Sequence, residues 1–149
     1  MREFNAPRFA KLQKSDSVEL TFNFTEQTME ILIKVIQVVI ALGIINVWIF
    51  RNGKTTAWRG GSARNLKEEF ATYGLPPWFM VLTGFLKITF ALLFIVALWV
   101  SELLPIAGGG MAVLMLGAVL MHVKVSDPLR KAAPAAAMLA LSLATVLLP

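Results

Sequence analysis

The 149-residue chain contains no cysteine, a single histidine and a single tyrosine, and only 15% of its residues are charged. Without cysteine there can be no disulfide, thiol relay, cysteine-ligated iron–sulfur cluster or thiolate zinc site within the chain. One histidine cannot supply bis-histidine haem ligation or a usual zinc shell, so no intrinsic metal is expected. The scarcity of charge has a wider consequence. With 57% hydrophobic residues and a mean hydropathy of +0.70, the composition excludes an ordinary soluble domain.

What charge there is falls mainly in residues 1–30, 51–69 and 122–131. A net charge of +5 and a pI near 9.9 would suit nucleic acid in a soluble protein. In a membrane protein the same basic residues set topology and meet anionic headgroups, so the expected partner is the bilayer and not nucleic acid. No apolar stretch of signal-peptide type precedes Ile31, and the first hydrophobic segment is expected to be a permanent span.

Residues 31–50, "ILIKVIQVVIALGIINVWIF", are long enough as a helix to cross about 30 Å of hydrocarbon. A second span is expected over about 78–100, introduced by Pro76 and Pro77 and bracketed by the interfacial anchors Trp78 and Trp99. A third is expected over about 106–125 and a fourth over about 129–148, with Asp127 placed to cap the fourth and Pro134 to kink or restart it. Four spans with short connections predict an all-α membrane protein, an antiparallel four-transmembrane-helix bundle over 31–149 preceded by a polar, amphipathic tail over 1–30.

The 51–77 connection predicts a small amphipathic helix on the membrane surface. Ala63, Leu66, Phe70 and Tyr73 share a face, Asn65 and Glu68 form a capping-box pattern, and Gly74 suits the C-terminal cap. In the tail, Val18, Leu20, Phe22 and Phe24 alternate with polar residues, which predicts a strand needing a partner surface. Basic residues in loops 51–77 and 124–131, set against Arg2, Arg8, Lys11 and Lys14 in the tail, favour both termini outside.

Few residues could carry chemistry, and no catalytic set stands out. Lys87 lies mid-span, where a charge facing lipid would cost about 3 kcal/mol, so it must face the bundle, pair, snorkel or be neutral. Together with Thr83 it marks a candidate intramembrane polar site, on a stripe that includes Gly84 and Ala91. His122 and Asp127 mark a candidate membrane-edge site, and Arg130 and Lys131 an interface with headgroups. His122 shares a helical face with Met111, Met115 and Ala118, but Met115 is seven residues away, about 10 Å along the axis, too far to ligate the same iron. Lys34 follows Glu30 at i+4 and reads as an ion pair. "GKT" at 53–55 ends like a phosphate-binding loop, but Trp48 stands where that motif needs glycine.

The succession "YGLPPW", "TGFLK" and "LPIAGGGMAVLMLGAVLMHVKVSDPL", followed by an Ala-rich last span, resembles the DoxX-like family of small four-helix membrane proteins over about residues 73–148. The most specific part is Gly117 to His122 followed by Asp127 and Pro128. The resemblance implies a compact four-helix bundle, with some relatives linked to quinone-coupled sulfur oxidation or to assembly of larger membrane complexes. Lys87 stands where relatives often carry a carboxylate, and the tail and the 51–77 loop exceed a minimal member. The functional expectation is a non-catalytic accessory or scaffolding subunit of a larger membrane complex, in contact with other subunits. The alternative is a quinone- or electron-transfer-linked oxidoreductase subunit, with a quinone or a cofactor held by a partner.

Overall fold

The computed structural model describes the backbone of residues 6–148 and the side chains of residues 19–148. Helix α1 spans Ala6–Ile45 and continues into a π-helical turn at Asn46–Phe50. Helix α2 is the short Leu66–Thr72, α3 is Pro77–Val96, α4 is Leu104–Lys124 and α5 is Leu129–Leu147, with a 3-10 turn at Ser101–Leu103 leading into α4. Each long helix carries a segment apolar and long enough to cross a membrane, at Glu19–Phe50, Pro77–Val96, Ser101–Lys124 and Leu129–Leu147.

The four long helices form a closed ring in which α1 packs on α3, α3 on α4, α4 on α5 and α5 back on α1. Such a ring follows from short connections between successive spans. Its centre is filled by Ile40, Ala91, Phe94, Ala107 and Met111, none of them accessible. Phe85, Val113 and Leu147 on the outside are more than two-thirds exposed. Apolar surface on that scale is tolerated where the surrounding medium is lipid. At Gly108 a Cβ would lie 2.5 Å from Thr145 Oγ1, so glycine is what lets α4 approach α5 so closely.

Two local expectations for the long helices are corrected. Residues 18–24 are helical, part of α1, and not a strand. A single strand leaves a row of backbone groups unpaired, whereas extending the first span as a helix satisfies them within the segment. Side-chain burial before Glu19, including Arg8, Lys11 and Lys14, lies outside the described residues, as does Arg2 altogether. The second correction concerns Asp127, which does not cap α5. Pro128 holds the N-cap position without a side-chain bond, and the Asp127 carboxylate is engaged elsewhere. Pro134 sits inside a continuous α5.

The 51–77 connection keeps its sequence-predicted local signals. Asn65 Oδ1 accepts from the Glu68 N–H at 2.9 Å, and the Asn65 amide donates to Glu68 Oε1 at 2.9 Å. Gly74, at φ +73°, ends α2 in a Schellman turn in which the Leu75 N–H reaches Phe70 O at 2.9 Å. The apolar face of α2 does not lie on the membrane surface as expected. Ala63, Leu66, Phe70 and Tyr73 are all buried, and Phe70 meets the Trp48 ring edge-on at 6.0 Å. The loop is a lid folded over one end of the bundle.

Candidate functional site: a cavity beneath the 51–77 lid

Beneath this lid lies a cavity of about 480 Å³ with walls drawn from every long helix. Gly43, Ile44 and Trp48 come from α1 and its π turn, Thr83 and Lys87 from α3, Met115 and His122 from α4, and Pro134 and Met138 from α5. The lid contributes Trp58, Arg59, Glu69, Phe70 and Tyr73. Lys87 is ten residues into α3, about 15 Å from its start. The cavity therefore runs from the lid end of the bundle towards the middle of the membrane.

The lid end is polar and tightly connected. Arg59, its side chain 5% exposed, donates through Nη1 to Glu69 Oε2 at 2.9 Å. Its Nη2 donates to the carbonyl oxygens of Arg51, Asn52 and Lys54 at 2.7, 3.3 and 3.3 Å. Glu69 Oε1 accepts from the Gly60 N–H at 2.8 Å and from the Tyr73 hydroxyl at 3.1 Å. A Cβ at Gly60 would overlap the Tyr73 ring, so the loop can approach Tyr73 only with glycine at that position. Burial, followed by the charge and hydrogen bond of Glu69, pushes the Tyr73 phenol well above its ordinary range, and it stays protonated as a donor.

Tyr73 touches His122, with Nε2 3.3 Å and Nδ1 3.4 Å from the phenolic oxygen. The rings meet edge-on at 5.7 Å. His122 Nδ1 lies 2.8 Å from Asp127 Oδ2. Local backbone chemistry sets this contact. Helix α4 ends in a second Schellman turn, with the Asp127 N–H on His122 O at 3.0 Å and Ser126 at φ +55°. A left-handed non-glycine residue costs about 1 kcal/mol, and here it folds Asp127 back onto the histidine ring.

Asp127 Oδ1 also accepts from the Gly61 N–H at 2.9 Å and pairs with Lys131 Nζ at 3.4 Å, while Lys131 donates to Gly61 O. Burial alone would raise the Asp127 carboxyl. The hydrogen bonds from His122 and Gly61 and the Lys131 charge outweigh it and hold the group below its usual range. An ionised carboxylate only accepts, so His122 Nδ1 carries a proton and, in the neutral ring, Nε2 keeps its lone pair. The Tyr73 hydroxyl donates to Glu69 Oε1 and sits almost equidistant from the two nitrogens of the His122 ring.

The deep end of the cavity is simpler. Lys87 is 7% exposed, and among the described residues no hydrogen bond or ion pair reaches its ammonium. It stands 5.3 Å from the centre of the Trp48 ring, a cation–π contact. Gly84, one turn away, admits this ring, since a Cβ there would come within 2.7 Å of the indole.

The structure brings Lys87, Thr83, His122 and Lys131 to one cavity, with Asp127 just behind it. Lys131 turns inward, whereas Arg130 is exposed and lies over Trp58 at 5.7 Å. Trp78 and Trp99 remain exposed at opposite ends of α3. Sequence reasoning missed Arg59 and Glu69 and gave Trp48 and Tyr73 no role in a site. The signal for one of these contacts was present: Glu69 and Tyr73 are four apart on α2.

Four apolar helices around a lidded cavity define a small integral, multi-pass membrane protein that contacts the lipid bilayer. The chain belongs to the DoxX-like family, whose model matches residues 57–145. No curated protein and no solved structure matches it.

Proposed function

We propose that the protein is a membrane-embedded binding protein for a small, largely apolar molecule, and that it is non-catalytic by itself, serving as an accessory subunit of a larger membrane complex. The observation that carries this reading is the cavity. It has the size and character of a ligand site, with apolar and aromatic walls and a few converging polar groups at its ends. The accessory role is supported by α1, which at 40 residues is about 60 Å long, twice the hydrocarbon thickness. Its described early turns expose Leu20 and Phe24 on one face and Phe22 on the opposite one, apolar side chains that suit contact with another subunit. Loops 51–77 and 124–131, both basic, meet at one end through the Gly61–Asp127 bond. This supports a cytoplasmic placement for that end and both termini outside; the membrane we propose is a bacterial inner or intracytoplasmic one.

A second reading, a quinone- or electron-transfer-linked subunit, is favoured by the Tyr73–His122–Asp127 chain at the cavity wall. It brings an imidazole oriented by Asp127 and a phenol together at the cavity wall, the kind of groups that take up and pass on a proton. A quinone is the ligand class that would use such a proton chain, and its redox chemistry would be its own.

The cavity can be filled without disturbing its walls. Gly117 lines it, and a Cβ there meets nothing within 4 Å. Titration of the detergent-solubilised protein with para-butylbromobenzene, a heavy-atom quencher, is expected to quench the cavity tryptophans Trp48 and Trp58 saturably. In Gly117→Phe the saturable component disappears while the melting temperature holds or rises. Non-saturable quenching that is the same in both proteins would overturn the binding reading.

A further inference from the structure

Resting on the binding reading above, we propose that the cavity selects a lipophilic oxygen acid, an apolar body bearing a carboxylate or ionised phenol, whose anion is received by Lys87. Two independent observations point this way. The first is Lys87 itself, more than nine-tenths buried at mid-span on the cavity wall. The Trp48 face occupies one side of its ammonium, and among the described residues no acceptor takes its N–H donors. Buried ammonium groups require a hydrogen-bonding or anionic partner, and the described residues supply none in direct contact.

The second is the charge balance of the walls. Four cationic side chains, Arg51, Arg59, Lys87 and Lys131, line the cavity against one carboxylate, Glu69. Arg59 is paired with Glu69 and Lys131 with Asp127, so Glu69, the only carboxylate that also acts on Lys87 across the cavity, is already engaged. Arg51 and Lys87 have no ion pair of their own among the described residues. Arg59 Nε is also buried without an acceptor. A neutral apolar ligand would leave this positive excess as it is, whereas an anion at Lys87 removes its deepest part. The aromatic face of Trp48 sets the polarity of the site. It attracts the ammonium and repels an anion, so the ligand oxygen approaches Lys87 from the cavity side, with its apolar body along Phe79, Met115 and Met138.

The test compares two probes with the same body, para-butylbenzoate and para-butylbenzyl alcohol, by equilibrium dialysis against the purified full chain at a pH where the acid is ionised. The Gly117→Phe variant serves as the blank for micelle partitioning. Wild-type protein is expected to bind the benzoate at least about 10-fold more tightly than the alcohol, the value of one charge-assisted hydrogen bond in a desolvated site. In Lys87→Met the benzoate weakens by that factor and the ratio falls to near one, while alcohol binding and melting temperature are retained. Equal saturable binding of both probes by wild-type protein would overturn the proposal and leave the binding reading intact. Saturable binding of neither would overturn both. The wild-type ratio needs no variant, so a Lys87→Met protein that fails to fold does not rescue the proposal.

Discussion

Glu69→Ala is expected to destabilise the protein by about 3–5 kcal/mol, because it removes one half of a buried ion pair and strands the other. Arg59 would keep its three carbonyl acceptors but lose its only anion, in a position where its Nε already lacks a partner. The Gly60 N–H and the Tyr73 hydroxyl would lose an acceptor in the same step. The bonds that Glu69 makes lie within the lid, so its loss loosens the lid's internal fold, while Gly61 stays tied to Asp127 and Lys131. Reversible unfolding in mixed micelles measures the effect. The double variant Arg59→Met/Glu69→Leu should lie closer to wild type than either single change, since it removes both charges together. A loss below about 1 kcal/mol in Glu69→Ala would show that the pair is solvated and the lid loosely held.

Asp127→Asn is expected to cost about 2–3 kcal/mol near neutral pH and to change how stability depends on acid. The Asp127 side chain is 4% exposed and serves three donors, from His122, Gly61 and Lys131. An amide presents one acceptor and one donor group, so the charge that Lys131 and Gly61 meet is lost and the His122 contact survives only with the imidazole in its other tautomer. The folded-state pKa of Asp127 lies below its ordinary value. Its contribution is therefore fully present above the unfolded-state value of about 4 and is lost as pH falls through the lowered one. Wild-type stability should fall more steeply than that of the variant below about pH 4. Comparison of the two proteins isolates Asp127 from the other carboxylates. Parallel curves would mean that the carboxylate titrates as freely in the folded protein as in the unfolded one.

The spans were legible because a hydrocarbon solvent demands about twenty consecutive apolar residues, a signal that needs no knowledge of tertiary contacts. Asn65, Glu68 and Gly74 were legible for a similar reason, since capping is decided within one turn of helix. Residues 18–24 misled because alternation at Leu20, Phe22 and Phe24 is a strand pattern only where a partner strand exists. Continuing the adjoining helix satisfies the same backbone without one.

His122 and Asp127 could be paired from the sequence because they are five residues apart. The form of the contact could not, because it depends on a left-handed Ser126 that the sequence does not signal. Arg59 with Glu69, and Trp48 with Lys87, meet only after the lid has folded and α1 has packed on α3. The sequence required only that Lys87 face the bundle, pair, snorkel or be neutral. What it faces, a cavity and an indole ring, is a property of the assembled bundle.

The central claim is that the bundle encloses a preformed site for one small molecule. Native mass spectrometry of the full chain released from detergent, in the presence of para-butylbenzoate, tests it most directly by counting adducts on wild type and on Gly117→Phe under the same conditions. A single adduct per chain that survives gentle activation in wild type and is missing from Gly117→Phe is the predicted result. A graded ladder of weak adducts, identical in the two proteins, would contradict the account.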